Sequence, residues 1–257
     1  MLFGRGNNGK STYIKVLQRF IGDENVINLT LQEICGNKFS SAELINKLGC
    51  FYADIPSKML FDTGRFKVLT GEDNVSAELK FKQKRISFQN YAKMIFSCNK
   101  LPESEDESIA FNRRWCIITF PYSFEKIANK TLINELIAPD EMTGFLNEAI
   151  RGYTRLMKAG DFSNAKSAED TRIDWIRKSD SVGAFVIDQL EIDVTNAVDK
   201  SEVYNWYINY CKEVRYVPVS ERMFYKQLIK HIEFREERPH GQTRLLIGFK
   251  FRSADSL

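Results

Sequence analysis

The chain has 257 residues, with 37 Lys and Arg against 34 Asp and Glu, for a net charge of +3. That length supports one large or two modest domains with a real core, and so even a charge balance excludes a uniformly basic nucleic-acid surface, leaving only local ones. The five cysteines form no CxxC pair and are joined by only two histidines, so zinc-ligand spacing and a disulfide framework are excluded.

Cys98 and Cys116 fall in apolar runs, as buried free thiols of a reducing compartment do. No apolar run approaches the ~20 residues of a membrane span, and there is no signal-peptide pattern. A soluble, cytoplasmic protein without a membrane partner is expected.

Gly4-Arg5-Gly6-Asn7-Asn8-Gly9-Lys10-Ser11 fits G-x-x-x-x-G-K-[ST] at every specified position. Glycines let the backbone close on an anion with its N–H groups turned inward. Lys10 is then expected to reach the β- and γ-phosphates and the Ser11 hydroxyl to hold Mg²⁺. Tyr13, Ile14, Leu17 and Phe20 follow at helical spacing, which places a helix N-terminus under the phosphates. The reading is a nucleoside triphosphate site, with Thr12 completing the binding set. Only Met1-Leu2-Phe3 precede Gly4, so the first strand is expected to be truncated, or the chain to be part of a larger protein.

Gly22 is placed to end the first helix. One or two short helices are expected over 29–49, around Leu31, Ile34, Leu44 and Leu48. Cys50–Ile55 reads as a buried strand carrying Asp54 at its tip, where a phosphate-loop enzyme keeps its Mg²⁺-directing acid. Residues 64–93 alternate charged and apolar side chains and read as a β-hairpin with Lys80, Lys82, Lys84 and Arg85 clustered at one end. Lysines protecting an edge strand are the plain account; such tight clustering favours a nucleic-acid contact.

Tyr91–Cys98 is a second buried-strand candidate, ending at Asn99. That amide is placed either to bond a γ-phosphate or the attacking water, or as an ordinary turn residue before Pro102. Arg113 and Arg114 lead into a third strand over 115–121; they are either surface charges or a phosphate-sensing group. A helical pattern runs from about 130 to 157 and stops at Gly160, followed by a polar connector over 161–180 with some helix around Trp175.

In the tail, Ser201 is expected to cap a helix carrying Val203, Tyr204, Trp206, Tyr207 and Tyr210. Ser220 is expected to cap a second with Phe224, Leu228 and Ile229 on one face. A hairpin over 232–251 completes the order of a winged helix-turn-helix. Its aromatics read as core, and Arg222, Lys226 and Lys230 as one basic stripe.

Taken in order, GRGNNGKST at 4–12, FYADIP at 51–56, FKVLTGEDNVSAELKFK at 66–82, AKMIFSCNKLPESED at 92–106 and AFNRRWCIITF at 110–120 resemble the superfamily-3 helicases. Within that group they resemble specifically the helicase half of phage and plasmid primases and the poxvirus primase-helicase. The resemblance implies an α/β, AAA+-like P-loop NTPase with a parallel central sheet over 1–125. A helical connector over 126–180 and a small α+β winged-helix domain over 181–257 would follow.

The resemblance also implies an ATP-dependent DNA helicase of viral or plasmid replication, working as a homo-hexameric ring in the host cytoplasm if viral. Such a ring hydrolyses ATP with Mg²⁺ at subunit interfaces and draws single-stranded or forked DNA through its centre, alongside a primase domain or other replication proteins. Carried over by position, Gly4, Gly6, Asn7, Asn8, Gly9, Lys10, Ser11 and Thr12 hold ATP, and Ser11 and Asp54 serve the metal. Asn99 is the polar sensor, Arg114 or Arg113 the finger given to the next subunit, and Lys80, Lys82, Lys84 and Arg85 the DNA contact. Most relatives place a glutamate or a pair of acids where this chain has Asp54, and carry an N-terminal collar and a primase domain. An ATP-clamped DNA- or partner-binding module and a monomeric phosphoryl-transfer enzyme are the alternatives.

Overall fold

The computed structural model describes residues 1–37, 39–60, 62–79, 85–239 and 243–252. They form two compact units, Met1–Arg172 and Ile173–Leu257.

The N-terminal unit is α/β, built on a five-stranded sheet. Its elements are β1 (Leu2–Phe3), α1 (Lys10–Ile21), β2 (Val26–Ile27), α2 (Leu31–Gly36), α3 (Ser40–Glu43), β3 (Gly49–Tyr52), α4 (Gly64–Leu69), β4 (Asn74–Glu78), β5 (Arg85–Gln89), β6 (Lys93–Cys98), α5 (Ile109–Asn112), β7 (Ile118–Thr119), α6 (Leu132–Leu136) and α7 (Pro139–Ala159). The strand order is β2-β3-β6-β1-β7, and every pairing in it is parallel. β1 therefore sits inside the sheet although it is two residues long, with Leu2 opposite Ser97 on one side and Ile118 on the other. The sheet core joins Leu2, Ile14, Val26 and Phe51, with Leu17, Ile21, Ile95 and Phe120 packed on it. α1 ends at Gly22, whose φ of 91° suits a residue without Cβ. α2 is held by a reciprocal cap between Thr30 and Glu33.

Three expectations change here. Residues 64–69 are helical rather than part of the hairpin, because Phe66 and Leu69, one helical turn apart, are the positions buried. The hairpin is β4 against β5, from Asn74 opposite Gln89 to Glu78 opposite Arg85. The run 115–121 yields only the exposed two-residue β7, so Cys116 is exposed while Cys98 is fully buried. The helical pattern over 130–157 is broken between α6 and α7, where Pro139 takes the first position of the new helix. α7 then runs 21 residues to Gly160 with none of them buried.

Residues 161–180 contain α8 (Ala168–Ser179), in which Trp175 is buried. The C-terminal unit continues with α9 (Ser181–Gln189), β8 (Leu190–Asp199), α10 (Lys200–Val214), α11 (Glu221–His231), β9 (Arg235–Glu237) and β10 (Leu245–Phe251). Its sheet is antiparallel in the order β8-β10-β9. The ladder between β8 and β10 shifts register at Gly248, whose φ of 141° and close approach to the Glu233 carbonyl leave no room for a Cβ.

Asp199, not Ser201, caps α10: its carboxylate, the stronger acceptor two residues earlier, accepts from the Ser201 N–H at 2.8 Å. Ser220 stands at the N-cap of α11 without a side-chain bond. The aromatics are core. Phe185, Tyr207, Phe224 and Phe249 are fully buried, and Tyr207 stacks on Phe224 at 4.6 Å.

Candidate nucleotide site

The Gly4–Gly9 loop leaves β1 and leads directly into α1. Gly4 has a φ of 156°, and a Cβ there would come within 2.4 Å of both the Phe120 carbonyl and the Asn8 amide. Glycine at this position is a steric requirement. Gly9, with φ 87°, is the N-cap of α1, and there the requirement is conformational, since a Cβ would meet nothing within 4 Å. Asn7 also takes a left-handed conformation, φ 57°, and its carbonyl accepts from the Phe124 N–H at 2.7 Å.

Lys10, the first residue of α1, is buried. Its ammonium donates to the Gly4 carbonyl at 2.5 Å, Asn8 Oδ1 at 3.0 Å, Asn99 Oδ1 at 3.1 Å and the Arg5 carbonyl at 3.3 Å. Burial pulls its pKa below the ordinary lysine value, opposed in part by the Asp54 carboxylate. The Asn99 side chain bridges the site, since its Nδ2 donates to Asp54 Oδ1 at 3.3 Å. Three residues separated by up to 89 positions thus converge at the C-terminal ends of three adjacent strands, β1, β3 and β6. This is where open α/β sheets bind ligands.

Asp54 lies just beyond β3 with φ 62°. Its N–H donates to Ser97 Oγ at 3.0 Å, and the Ile55 N–H donates to the Ser97 carbonyl at 2.8 Å. Ser97 is fully buried and was not anticipated from sequence. The readable signal was a lone hydroxyl between Phe96 and Cys98, two residues before the amide. A cavity of about 300 Å³ is lined by Gly6 through Thr12, with Asp54, Ser97 and Asn99 opposite. A second cavity of about 580 Å³ shares Asn7, Gly9 and Thr12 with it and is otherwise mostly apolar, with Tyr13, Phe124 and Phe145 among its walls.

The two arginines stand elsewhere. Arg114 donates from Nε to the Lys67 carbonyl at 3.2 Å and from Nη1 to the Ala110 carbonyl, so its guanidinium is engaged within its own chain. Arg113 is exposed. Both line a cavity of about 540 Å³ with Thr70, Gly71, Glu72 and Asp73, and neither lines the cavity around Lys10. Of the basic hairpin residues, Arg85 opens β5 and pairs with Glu78 at 3.2 Å; Lys80, Lys82 and Lys84 lie outside the described residues. In the C-terminal unit Arg222, Lys226 and Lys230 are exposed on α11, while Phe224 and Leu228 face the core. Among the described residues no cluster of three or more metal-ligating side chains occurs, and no helix is long and apolar enough to cross a membrane.

Comparison with known proteins gives two family matches, each covering less than half of the chain. Residues 2–114 match a family of unknown function, DUF5906. No curated protein matches. Among solved structures, the A form apo structure of the NrS-1 C terminal region is 13% identical, with 96% of this chain and 65% of that chain covered and a TM-score of 0.48. A second A form of that region, 305–718, gives 13% identity, 96% and 64% coverage and a TM-score of 0.42. Its apo structure gives 12%, 96%, 65% and 0.46. The chain spans about two thirds of the length of these structures. Residues 177–254, nearly all of the C-terminal unit, are similar to the Poxvirus D5 protein-like family.

Proposed function

We propose that this chain is the ATPase part of a replicative primase-helicase, which hydrolyses ATP between adjacent copies in a ring and moves along DNA. The observation that carries the reading is the convergence of Lys10, Asn99 and Asp54 on one cavity of about 300 Å³ at the C-terminal ends of the strands. The similarity of residues 177–254 to the Poxvirus D5 protein-like family supports the replication setting. The order α9-β8-α10-α11-β9-β10 supports reading the tail as a winged helix.

In this reading the loop amides and Lys10 bind the phosphates, and the adjoining apolar cavity takes the base and ribose. Ser11 and Asp54 offer two oxygens to Mg²⁺, a fitting set for an ion that keeps waters and takes its other ligands from phosphates. When bound, that ion offsets negative charge on the β- and γ-phosphates. Asn99 holds Asp54 against Lys10 and orients the attacking water. Arg113, the exposed member of the pair, is the arginine presented to the neighbouring copy's phosphate, while Arg114 holds it in place.

Phosphate release from ATP, with and without single-stranded DNA, tests the reading. Lys10→Ala and Arg113→Ala should each be inactive alone and regain activity when mixed. No turnover in any oligomeric state would end the motor reading and leave the ATP-clamped binding module. Activity in a monomer, without rescue on mixing, would favour a phosphoryl-transfer enzyme.

A further inference from the structure

A heavily hydrogen-bonded carboxylate of the N-terminal unit, Asp106, lies away from the Gly4–Ser11 loop. Asp106 lies in the segment that leaves β6 through Asn99, and its side chain is only 16% exposed. It accepts from Lys67 Nζ at 2.8 Å, Ser108 Oγ at 2.5 Å, the Ser108 N–H at 3.0 Å and Thr63 Oγ1. Lys67 lies in the second turn of α4 and Thr63 at its N-cap, while Ser108 caps α5 and accepts from the Phe111 N–H at 3.2 Å. One carboxylate therefore joins the starts of two helices.

Those two helices lead to Arg113 and to the β4–β5 hairpin. α5 has four residues, too few to set its own direction, so its ends decide where Arg113 points. Asp106 holds the first end through Ser108; at the other, Arg114 bonds the carbonyl of Lys67, the residue whose ammonium meets Asp106. Phe66 of α4 stacks on Trp115 at 4.6 Å beside the same junction. α4 is also fastened to the hairpin: Asn90 Nδ2 donates to the Leu69 carbonyl at 2.8 Å and Gln89 Nε2 to the Glu72 carbonyl at 3.0 Å.

We propose that Asp106 is a positioning residue, a joint that clamps α4 to α5 and so fixes Arg113 and the β4–β5 hairpin relative to the Asn99 end of β6. The chemistry of the residue argues for this role. The Lys67 ammonium and the Ser108 backbone N–H can only donate, so the oxygens that face them have to accept. Burial alone would raise its pKa, but the bonds from Lys67, Ser108 and Thr63 outweigh it and hold the carboxyl well below the usual carboxylate range.

Asp106→Asn keeps the shape and turns one acceptor into a donor facing donors. Amide hydrogen exchange on the full chain should then quicken at least about tenfold over 65–70 and 109–114, a loss on the order of one hydrogen bond. Residues 10–17 of α1 should exchange as in wild type. Lys67→Met, which removes one donor, should reproduce the pattern. Unchanged exchange at α4 and α5, or acceleration that includes α1, would overturn the joint.

The activity readout rests on the proposed hydrolysis. Asp106→Asn subunits, with a sound phosphate loop but a misdirected arginine, should exceed the sum of activities when mixed with Lys10→Ala and fail to do so with Arg113→Ala. Rescue by Arg113→Ala would overturn the joint. If wild type shows no turnover while the exchange pattern holds, the motor fails and the joint stands.

Discussion

The two units bury polarity differently. In the N-terminal unit Asn8, Lys10, Thr63, Ser97 and Asn112 are all buried, and each bonds backbone or another polar group near the loop or the α4–α5 junction. In the C-terminal unit the core is apolar and aromatic, with Val182, Phe185, Tyr207, Phe224, Leu246 and Phe249 fully buried in one cluster. The one unit uses its interior to place polar atoms around the loop and the α4–α5 junction. The other uses its interior to hold shape, and changes there alter stability.

The sharpest way to break this contrast is Arg113→Ala, expected to lower turnover by about 10³–10⁵ while leaving the unfolding of both units unchanged. Steady-state phosphate release and a urea titration together decide it. Phe224→Ala should do the reverse. Truncating a buried aromatic costs about 3–5 kcal/mol, so the C-terminal unit should unfold at lower denaturant while a fluorescent nucleotide still binds the loop.

Acid bears on the C-terminal unit through Asp180. Burial alone would raise the pKa of Asp180, but His231 at 2.6 Å and the Val182 and Gly183 N–H groups outweigh it and leave it depressed. A depressed folded pKa gives a contribution that is complete above the unfolded value of about 3.9 and is lost as pH falls toward the folded one. Asp180→Asn should therefore lower the stability of the C-terminal unit at pH 7 and flatten its further loss below about pH 4; a tryptophan-fluorescence titration reads it. The smallest effect is expected from Ser97→Ala, which removes the acceptor of the Asp54 N–H. The loss of about 1 kcal/mol should cut turnover roughly fivefold, with nucleotide affinity unchanged in a binding titration.

How far the sequence alone reaches differs along the chain. The loop and α1 were legible because spacing and periodicity there are local, and so were the strand-tip positions of Asp54 and Asn99. The helix at 64–69 was misread because Arg65 and Lys67 alternate with Phe66 and Val68, imitating a strand, when the spacing that mattered was Phe66 to Leu69. α9 and β8 were not anticipated at all. Ile192 and Val194 share a face of β8 but are exposed, so its apolar pattern does not mark its buried side. The apolar cavity beside the loop was invisible because its walls come from α1 and from residues more than a hundred positions later. The engagement of Arg114 by a carbonyl of α4 depends on a fold no motif encodes.

The left-handed backbone at Asp54 bears on which acids the site can use. Short Asp and Asn side chains tolerate that region far better than longer ones. A glutamate would gain a methylene of reach and lose conformational ease, so the carboxylate at this position and the bend of the chain beneath it can change only together. Asp54→Asn should keep the bend and lose the charge, whereas Asp54→Glu should keep the charge and strain the bend.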